Sequence, residues 1–411
     1  MLRKVLLTFL MVAFLGSMAW AVEVNPGGQG DALIMGYYNA RNALTYFRLV
    51  NTSDQGIVGK VRFREGKRSE EVLDFIVCLS KKDEFSMILV DGGPTAPAVL
   101  YKGTDMISDA DTTTVPGGWT MVPLRYNGTG AASTVTMDDT KEGYVEFIAL
   151  SSYTGVEKLT SDQCKEMAEY GLTTLADGTK ISADDAPNAV MGAVEIVKYT
   201  DNLPIFSYKA TALKDTTTDV QVSNPATQTD TPLFHSVIGD IALLNDALAK
   251  TALYAMYDIR SDLGASSDLL VIFPTKKETA YQAANDFRDM YDNVTVINKK
   301  DLTQHCVVVK YEVYDDAENT ITQELDFSPS EVQTNKLCYE VNYITVGEMA
   351  SPILDTSLAG PAVQVGSFDF GWLKVYFDNN WKDAMPVISY ELQVWVDGAL
   401  SRMLETSYDI P

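Results

Sequence analysis

The chain alternates between apolar and polar side chains over many short segments. From Ile57 to Arg64 the alternation has a period close to two, which is typical of a strand with one buried face and one wet face. Similar segments rich in Val, Ile, Tyr, Phe and Thr are separated by loops rich in Gly, Asp, Thr and Pro. They lie at 46–50, 72–79, 85–90, 144–150, 193–199 and 205–213. The pattern predicts a mainly β protein built from hairpins.

Three segments have helical periodicity instead. Residues 160–163 (Thr-Ser-Asp-Gln) match a capping box, so we expect a short helix that runs toward Gly171. Apolar residues recur at helical spacing from Ile241 to about Tyr257, and again from Lys277 to Met290. We expect these helices to be minor additions to a β framework.

The sequence carries a weak internal duplication. Residues 61–83 have a counterpart at 309–331, residues 46–55 at 269–277, and residues 142–147 at 370–375. A fold repeated twice is the simplest account, with a join between about Asp215 and Asp240. Chance similarity of Val-rich hairpins is the alternative. We therefore expect two tandem β-sandwich domains, immunoglobulin-like or jelly-roll-like, at 22–225 and 226–411.

The first 21 residues have the pattern of an export signal. Arg3 and Lys4 precede an apolar run over 5–15, and the triplet 19–21 (Ala-Trp-Ala) matches a cleavage site. Cleavage there would leave a chain that starts at Val22, with no further apolar stretch long enough to span a bilayer. The sequence predicts a secreted protein of the bacterial cell surface or periplasm.

Acidic residues outnumber basic ones. The sequence has 56 Asp and Glu against 32 Lys and Arg, for a net charge of −24. Nucleic acid is not expected as a partner, because a phosphate backbone needs a basic face. An anionic membrane surface would repel the chain for the same reason. Acidity of this size favours solubility, and it also offers weak oxygen sites to Ca²⁺.

Four cysteines occur, and disulfides persist outside the cytosol. Cys306 and Cys338 flank one acidic strand-turn-strand stretch, and we predict that they pair. Cys78 lies in an apolar strand and Cys164 in a predicted helix. For these two, a bond and a pair of buried free thiols both stay open.

No catalytic motif stands out. His235 and His305 lack the spacing of zinc ligands, and there is no nucleophile elbow, P-loop or dinucleotide-binding turn. His305 adjoins Cys306, but the exported setting favours a disulfide over a thiol nucleophile. We expect a protein that is not an enzyme, with no catalytic residues, no bound metal and no cofactor.

Oxygen ligands and carboxylate pairs are weaker signals. Asp105, Asp109 and Asp111 lie in one loop and would suit Ca²⁺, although the spacing is not that of an EF-hand. The pairs 138–139, 184–185 and 315–316 would suit a glycosidase, which needs two carboxylates across a cleft. Solvated turns are the ordinary explanation for all of these groups.

Two further features concern the surface. Tryptophans could form a sugar-stacking platform, although core packing is their ordinary role in a sandwich. They are Trp119, Trp372, Trp381 and Trp395. Tripeptides at Asn51, Asn127 and Asn293 fit the pattern of Asn glycosylation and suit surface turns.

Several motifs occur in an order that resembles a family of exported bacterial proteins described only as uncharacterised or cell-surface proteins. They lie at 64–75, 142–146, 273–276, 338–342 and 371–373. The resemblance spans most of the chain after the signal, and the part from Pro386 onward matches less well. It implies residence in the envelope or at the surface, and it offers no active site to carry over.

These observations predict a non-catalytic surface or envelope protein with a structural or adhesive role. Its partners would be envelope or surface components, or further copies of the chain, bound through sheet edges and loops. A glycan-binding or small-ligand-binding module would instead show exposed Trp or Tyr along one groove. A carboxylate-dependent hydrolase would show two acidic side chains converging in a deep pocket, one of them with a raised pKa.

Overall fold

The computed structural model describes most of the chain after the predicted signal. The described residues are 22–103, 107, 118–121, 136–170, 174–175, 177–178, 182–184, 186–199, 205–216, 241–276, 306–323, 336–347, 350–360, 362–377, 384–396 and 399–409. Within them the protein is mainly β, with several antiparallel sheets and few short helices. The predicted fold class is confirmed. The predicted export signal lies outside the described residues.

The N-terminal half, which we define as residues 22–216, forms two sheets. Its strands are β1 (Glu23–Val24), β2 (Ala32–Asn39), β3 (Ala43–Asn51), β4 (Gly56–Glu65), β5 (Glu71–Leu79), β6 (Glu84–Val90), β7 (Val99–Lys102), β8 (Gly118–Thr120), β9 (Glu142–Thr154), β10 (Ser182–Asp184), β11 (Val190–Lys198), β12 (Ile205–Lys209) and β13 (Thr211–Lys214). Sheet 1 has the order β1-β13-β2-β9-β4-β5, with β10 paired to β9. Sheet 2 has the order β12-β11-β3-β6-β7-β8.

The C-terminal half, residues 241–409, forms two larger sheets and a short ladder. Its strands are β14 (Ala249–Lys250), β15 (Ala252–Asp258), β16 (Ser266–Ile272), β17 (Val307–Asp315), β18 (Thr320–Gln323), β19 (Lys336–Leu337), β20 (Val341–Thr345), β21 (Phe370–Phe377), β22 (Met385–Pro386), β23 (Ile388–Trp395), β24 (Leu400–Glu405) and β25 (Ser407–Asp409). Sheet 3 has the order β18-β17-β21-β15-β25, with β19 paired to β17. Sheet 4 has the order β20-β16-β23-β24, and β14 pairs with β22.

The two halves have matching strand orders. The run β2-β9-β4-β5 in sheet 1 has the order of β15-β21-β17-β18 in sheet 3, and β12-β11-β3-β6 in sheet 2 has that of β24-β23-β16-β20 in sheet 4. The register agrees too, because Glu65 pairs with Gly143 and Asp315 pairs with Gly371. At both glycines an added Cβ would lie within 1.8–1.9 Å of a carbonyl oxygen on the neighbouring strand. A duplicated unit would produce this arrangement. The join falls mainly on residues 217–240, outside the described part, so the domain bounds remain a prediction.

The helices agree with the sequence in one case and differ in another. Helix α1 (Ser161–Tyr170) begins with the predicted capping box, in which Thr160 and Gln163 exchange hydrogen bonds of 2.9 and 3.2 Å. Helix α2 (Ile241–Leu248) ends well before Tyr257, so the longer predicted helix was wrong. From Ala252 onward the chain pairs with β21, and the alternating burial of a strand replaces the helical period. The predicted helix at 277–290 lies outside the described residues.

Sheet 4 is shared between two apolar cores. Leu269 and Val271 on β16 face sheet 3, whereas Leu270 and Ile272 on the same strand join the core of the N-terminal half. This is the alternation of a strand that is buried on both faces. The apolar core therefore runs from one half into the other.

The halves meet at one end of sheets 1 and 2. Asn39, Glu65, Glu142 and Lys198 all lie at that end of their strands. The Tyr37 and Tyr343 rings are 6.2 Å apart there, and the Tyr208 and Tyr390 rings 4.7 Å. The outer face of sheet 4 thus covers the end of the N-terminal half.

Two disulfides stabilise the fold. Cys306 and Cys338, the pair that the sequence predicts, are bonded at the start of β17 and beside β20. Cys78 on β5 is bonded to Cys164 on α1, which decides between the two alternatives that the sequence leaves open. The second bond fixes α1 to the edge strand of sheet 1.

Candidate functional site

The described tryptophans do not form one platform. Trp119 is buried and stacks on Phe75 at 4.6 Å in the N-terminal half. Trp395 ends β23, and Trp372 stands on the outer face of sheet 3 with 36% of its surface exposed. Trp381 lies outside the described residues. Only Trp372 of the three is placed to meet a ligand from solvent.

Trp372 is held upright by a neighbour on the next strand. The rings of Tyr314 and Trp372 stack at 3.9 Å with an interplanar angle of 7°, and the two residues are in register on β17 and β21. Since adjacent strands lie about 4.8 Å apart, such a stack requires both rings to stand on edge above the sheet. One face of Trp372 is therefore covered by Tyr314, and the other turns toward β15, where Met256 is its register partner.

That free face of Trp372 borders a groove of about 400 Å³. Its lining comes from β15, β21 and β25 of sheet 3 and from β23 and β24 of sheet 4. The lining residues are Tyr254, Ala255, Met256, Trp372, Glu391, Leu404, Glu405 and Ser407. Met256 and Leu404 are exposed. The groove combines aromatic, apolar and hydrogen-bonding side chains, which is the composition of many ligand sites.

The groove exists because β25 pairs with only the first part of β15. The pairing ends where Tyr254 faces Ser407. Beyond it, side chains from β23 bind the free edge of β15: Glu391 accepts the Met256 N–H at 2.7 Å, and Gln393 donates to the Met256 carbonyl at 2.7 Å. Two side chains thus replace a strand, and the space left beside them is the groove.

Glu391 has the raised pKa expected of a hydrolase carboxyl group, but both of its carboxylate oxygens already accept hydrogen bonds. Burial raises its pKa. One carboxylate oxygen accepts a hydrogen bond from the Met256 N–H, and the other accepts one from the Arg402 guanidinium at 3.0 Å. Glu405 lines the same groove near Lys250, whose ammonium lies 3.8 Å from the Tyr408 ring centroid. Burial raises the pKa of Glu405 as well, and the described contacts of Glu391 hold the edge of β15 and Arg402.

A second polar cluster joins the halves. The buried Glu142 carboxylate accepts hydrogen bonds from Tyr37 (3.1 Å), Thr356 (2.5 Å) and the Ser357 N–H (2.7 Å), and it forms an ion pair with Arg41. Thr356 and Ser357 belong to the segment 350–360 of the C-terminal half. One carboxylate therefore binds groups from both halves.

Asp268 forms a related contact on β16. Its carboxylate accepts the Tyr343 hydroxyl and the Ile353 N–H, both at 2.6 Å. The Lys198 ammonium donates to the Ile353 carbonyl at 2.5 Å, and its charge acts on Asp268. Burial nevertheless dominates and raises the pKa of Asp268 to about 7. A titratable group with an unusual pKa therefore lies at the interface between the halves.

The paired carboxylates have structural partners where they are described. Asp138 binds Arg41 at 2.6 Å and Asp139 binds Lys67 at 2.6 Å. Asp315 accepts the Asn319 N–H at 2.7 Å within its own turn. The third predicted pair is described only at Asp184, which lies on β10.

The predicted calcium loop, with Asp105, Asp109 and Asp111, lies outside the described residues, as do His235 and His305. In the described ranges, no group of three or more His, Cys, Asp or Glu is placed to hold a metal ion.

The predicted glycosylation site at Asn51 does not suit a surface turn. The Asn51 side chain is buried, and its amide donates to the carbonyls of Gln55 and Ser80 at 2.7 and 2.8 Å. It closes the turn after β3 and is not available for a glycan. Asn127 and Asn293 lie outside the described residues.

Comparison with known proteins does not assign the chain to a family. No family model matches the chain, and no curated protein or solved structure matches it either. The resemblance to exported bacterial surface proteins therefore stays a prediction. The helices in the described ranges include none with the length and apolar character needed to cross a membrane.

Proposed function

We propose that this protein is exported and has a non-catalytic structural or adhesive role at the bacterial surface or in the periplasm. The observation that carries the proposal is the interface between the halves, where Glu142 binds Tyr37 and Arg41 on one side and Thr356 and Ser357 on the other. A shared apolar core surrounds these contacts. Such an interface favours a rigid body that presents its surfaces in fixed positions.

The disulfides support an extracellular or periplasmic role. All four cysteines are bonded, in pairs separated by 86 and 32 residues. Disulfides of this kind persist in oxidising compartments and stabilise a chain against unfolding. They agree with the export signal expected from the first 21 residues.

A binding module for a saccharide is the second candidate, and the groove beside Trp372 favours it. A sugar ring packs its C–H face on an upright aromatic ring, while Glu405 and Ser407 offer hydrogen bonds to hydroxyl groups. Glu391 already has Arg402 as its cation, and the charge of Glu405 acts on Lys250. This balance, together with the net charge of −24, favours a neutral saccharide over an anionic one.

Two measurements test the proposal. The full chain, tagged at its C-terminus, is expressed in a bacterium, and we expect an exported form that lacks residues 1–21 by mass spectrometry. Beads that carry this processed form are then expected to attach to isolated envelope material. An unprocessed cytosolic chain, or beads that attach no better than uncoated beads, would contradict the proposal.

Substitutions separate the two candidates. If the groove provides adhesion, Trp372→Ala lowers attachment at least about tenfold, because a buried aromatic contact is worth about 2 kcal/mol or more. Tyr199→Ala is the matched control, since Tyr199 is exposed and lies outside the groove. Inhibition of attachment by a neutral oligosaccharide would favour the saccharide-binding candidate.

A further inference from the structure

We propose that copies of this chain associate head to tail, with the free end of the C-terminal half of one copy seated on the outer face of sheet 2 of the next. The inference rests on the proposed structural role and deepens it, because it names the partner as a second copy. It is carried by the matching strand orders of the halves and by two surfaces whose described residues include exposed apolar side chains.

The contact inside the chain is the template. The outer face of sheet 4 covers one end of sheets 1 and 2, and an added Cβ at Gly36 would lie 2.5 Å from the Tyr390 ring. Backbone groups also join across it, since the Val341 N–H donates to the Gly66 carbonyl at 2.8 Å. In this contact, the end of one half meets the outer face of a sheet in the other half.

Sheet 2 is the counterpart of sheet 4 by strand order, yet its outer face remains partly exposed. The outward residues of β3, β6 and β11 alternate with buried ones. Most of these outward side chains are apolar, namely Leu44, Tyr46, Val50, Ile88, Val90, Met191, Ala193 and Val197. A face that only meets water is normally polar.

Register places these apolar side chains side by side. Leu44 is in register with Val90 on one neighbouring strand and with Val197 on the other, and Tyr46 is in register with Ile88. Ile88 is 39% exposed. These five side chains form an apolar cluster that is bordered by the ion pair of Arg48 and Glu195. Exposed apolar clusters are typical of protein interfaces.

The free end of the C-terminal half is the counterpart of the covered end of the N-terminal half. Its described residues include the segment 259–265 after β15, the turn 316–319 after β17 and Val396 after β23. Leu263 and Val396 are exposed there, and the Val396 N–H bonds to the Leu263 carbonyl at 2.6 Å, so the two lie together. Leu400, at the start of β24, is 60% exposed. This end therefore offers apolar side chains to a partner.

The two surfaces differ, so the contact is heterologous and can repeat from copy to copy. A contact of this type joins more than two copies, in a ring or in an open chain. Asp262, Asp316 and Glu318 make the free end acidic, and the whole chain carries −24. Charge repulsion then opposes association, and salt should strengthen it.

Sedimentation velocity of residues 22–411 tests the inference from about 1 µM to about 1 mM, a range that covers weak contacts. We expect species larger than a dimer that increase with protein concentration, and that increase further in about 0.5 M salt. A monomer throughout this range would overturn the inference.

Substitutions identify the surfaces. Leu263→Glu alters the free end and Ile88→Glu alters the sheet face, and each should hold the chain as a monomer. A mixture of the two variants should form a dimer and no larger species, because each retains the surface that the other lacks. Met137→Glu, in an exposed turn on neither surface, should associate like the unaltered chain. Circular dichroism and the melting temperature show that each variant is folded.

Other outcomes are equally decisive. Association that survives both substitutions, or variants that fail to pair when mixed, would overturn the proposed contact. If the chain is monomeric but its beads still attach to envelope material through Trp372, the head-to-tail inference fails while the proposed function stands. If neither association nor attachment occurs, both fail.

Discussion

The Glu142 carboxylate accepts the backbone N–H of Ser357 at 2.7 Å, across 215 residues of sequence. Glu142 begins β9, and Ser357 lies in the segment that leads from β20 toward β21. The bond is charge-assisted and buried, and bonds of this type are stronger than those between neutral groups. Arg41 balances the charge from the N-terminal side. One buried side chain thus binds groups from both halves.

Glu142→Gln is expected to lower the free energy of unfolding by about 3 kcal/mol, because it removes the buried charge that pairs with Arg41 and leaves Arg41 only the exposed Asp138 carboxylate. Urea denaturation followed by fluorescence measures the change. Glu195→Gln is the control: Glu195 pairs with Arg48 on the partly exposed face of sheet 2, and such a pair is worth about 0–1 kcal/mol. Equal effects of the two substitutions would contradict the role given to Glu142.

Gly36→Ala is expected to destabilise the protein by about 1–3 kcal/mol, because the added methyl group overlaps the Tyr390 ring and forces the halves apart. The midpoint of thermal unfolding measures the effect. Gly360→Ala is the control, since the nearest atom to its added Cβ is 3.6 Å away, an ordinary contact distance. A Gly36 variant as stable as the Gly360 variant would show that the interface is loosely packed.

The raised pKa of Asp268 should make the stability of the protein depend on pH. Its pKa is about 7 in the folded protein, against about 3.9 in an unfolded chain. Between pH 4 and pH 7 the folded state therefore binds more protons than the unfolded state. The stability that this group contributes is complete below about pH 4 and is lost as the pH rises through 7.

Asp268→Asn removes this contribution, because an amide does not ionise. The stability of the unaltered protein relative to this variant should fall by up to about 4 kcal/mol from pH 4 to pH 8. Urea denaturation at several pH values gives the difference. Asp262→Asn, the same substitution at an exposed position, is the matched control. A constant difference between the protein and its Asp268 variant would show that Asp268 keeps an ordinary pKa.

The two disulfides should differ in their effect on stability. Replacing Cys78 and Cys164 with Ala opens a loop of 86 residues and should cost about 4–5 kcal/mol. Replacing Cys306 and Cys338 opens a loop of 32 residues and should cost about 3–4 kcal/mol. Denaturant midpoints without reductant rank the two variants. The reverse order would mean that local packing, and not loop length, decides the stabilisation.

Much of the fold follows from local patterns. The alternation at 57–64 places β4, which spans Gly56–Glu65, and the capping box places α1. Local pattern failed at 249–257, where pairing with sheet 3 overrides a helical spacing of apolar residues. The disulfide between Cys78 and Cys164 needed the packing of α1 on β5, which sequence spacing does not contain.

The groove was not predictable from local pattern. Trp372 was one of four candidates, and only the register of β21 with β17 shows that Tyr314 supports it. No local pattern marked Glu391 as a groove residue, because its position in the groove depends on where β25 ends. The outward positions of Tyr314 and Trp372 on strands whose other face is apolar were the one available sign.

The shared sheet 4 also sets an order of events during synthesis. Sheets 1 and 2 are complete before the chain reaches β16, but Tyr37 and Tyr208 at their open end have no cover until β20 and β23 are made. Until the second half is in place, this end of the N-terminal half therefore exposes apolar surface that can associate with other chains.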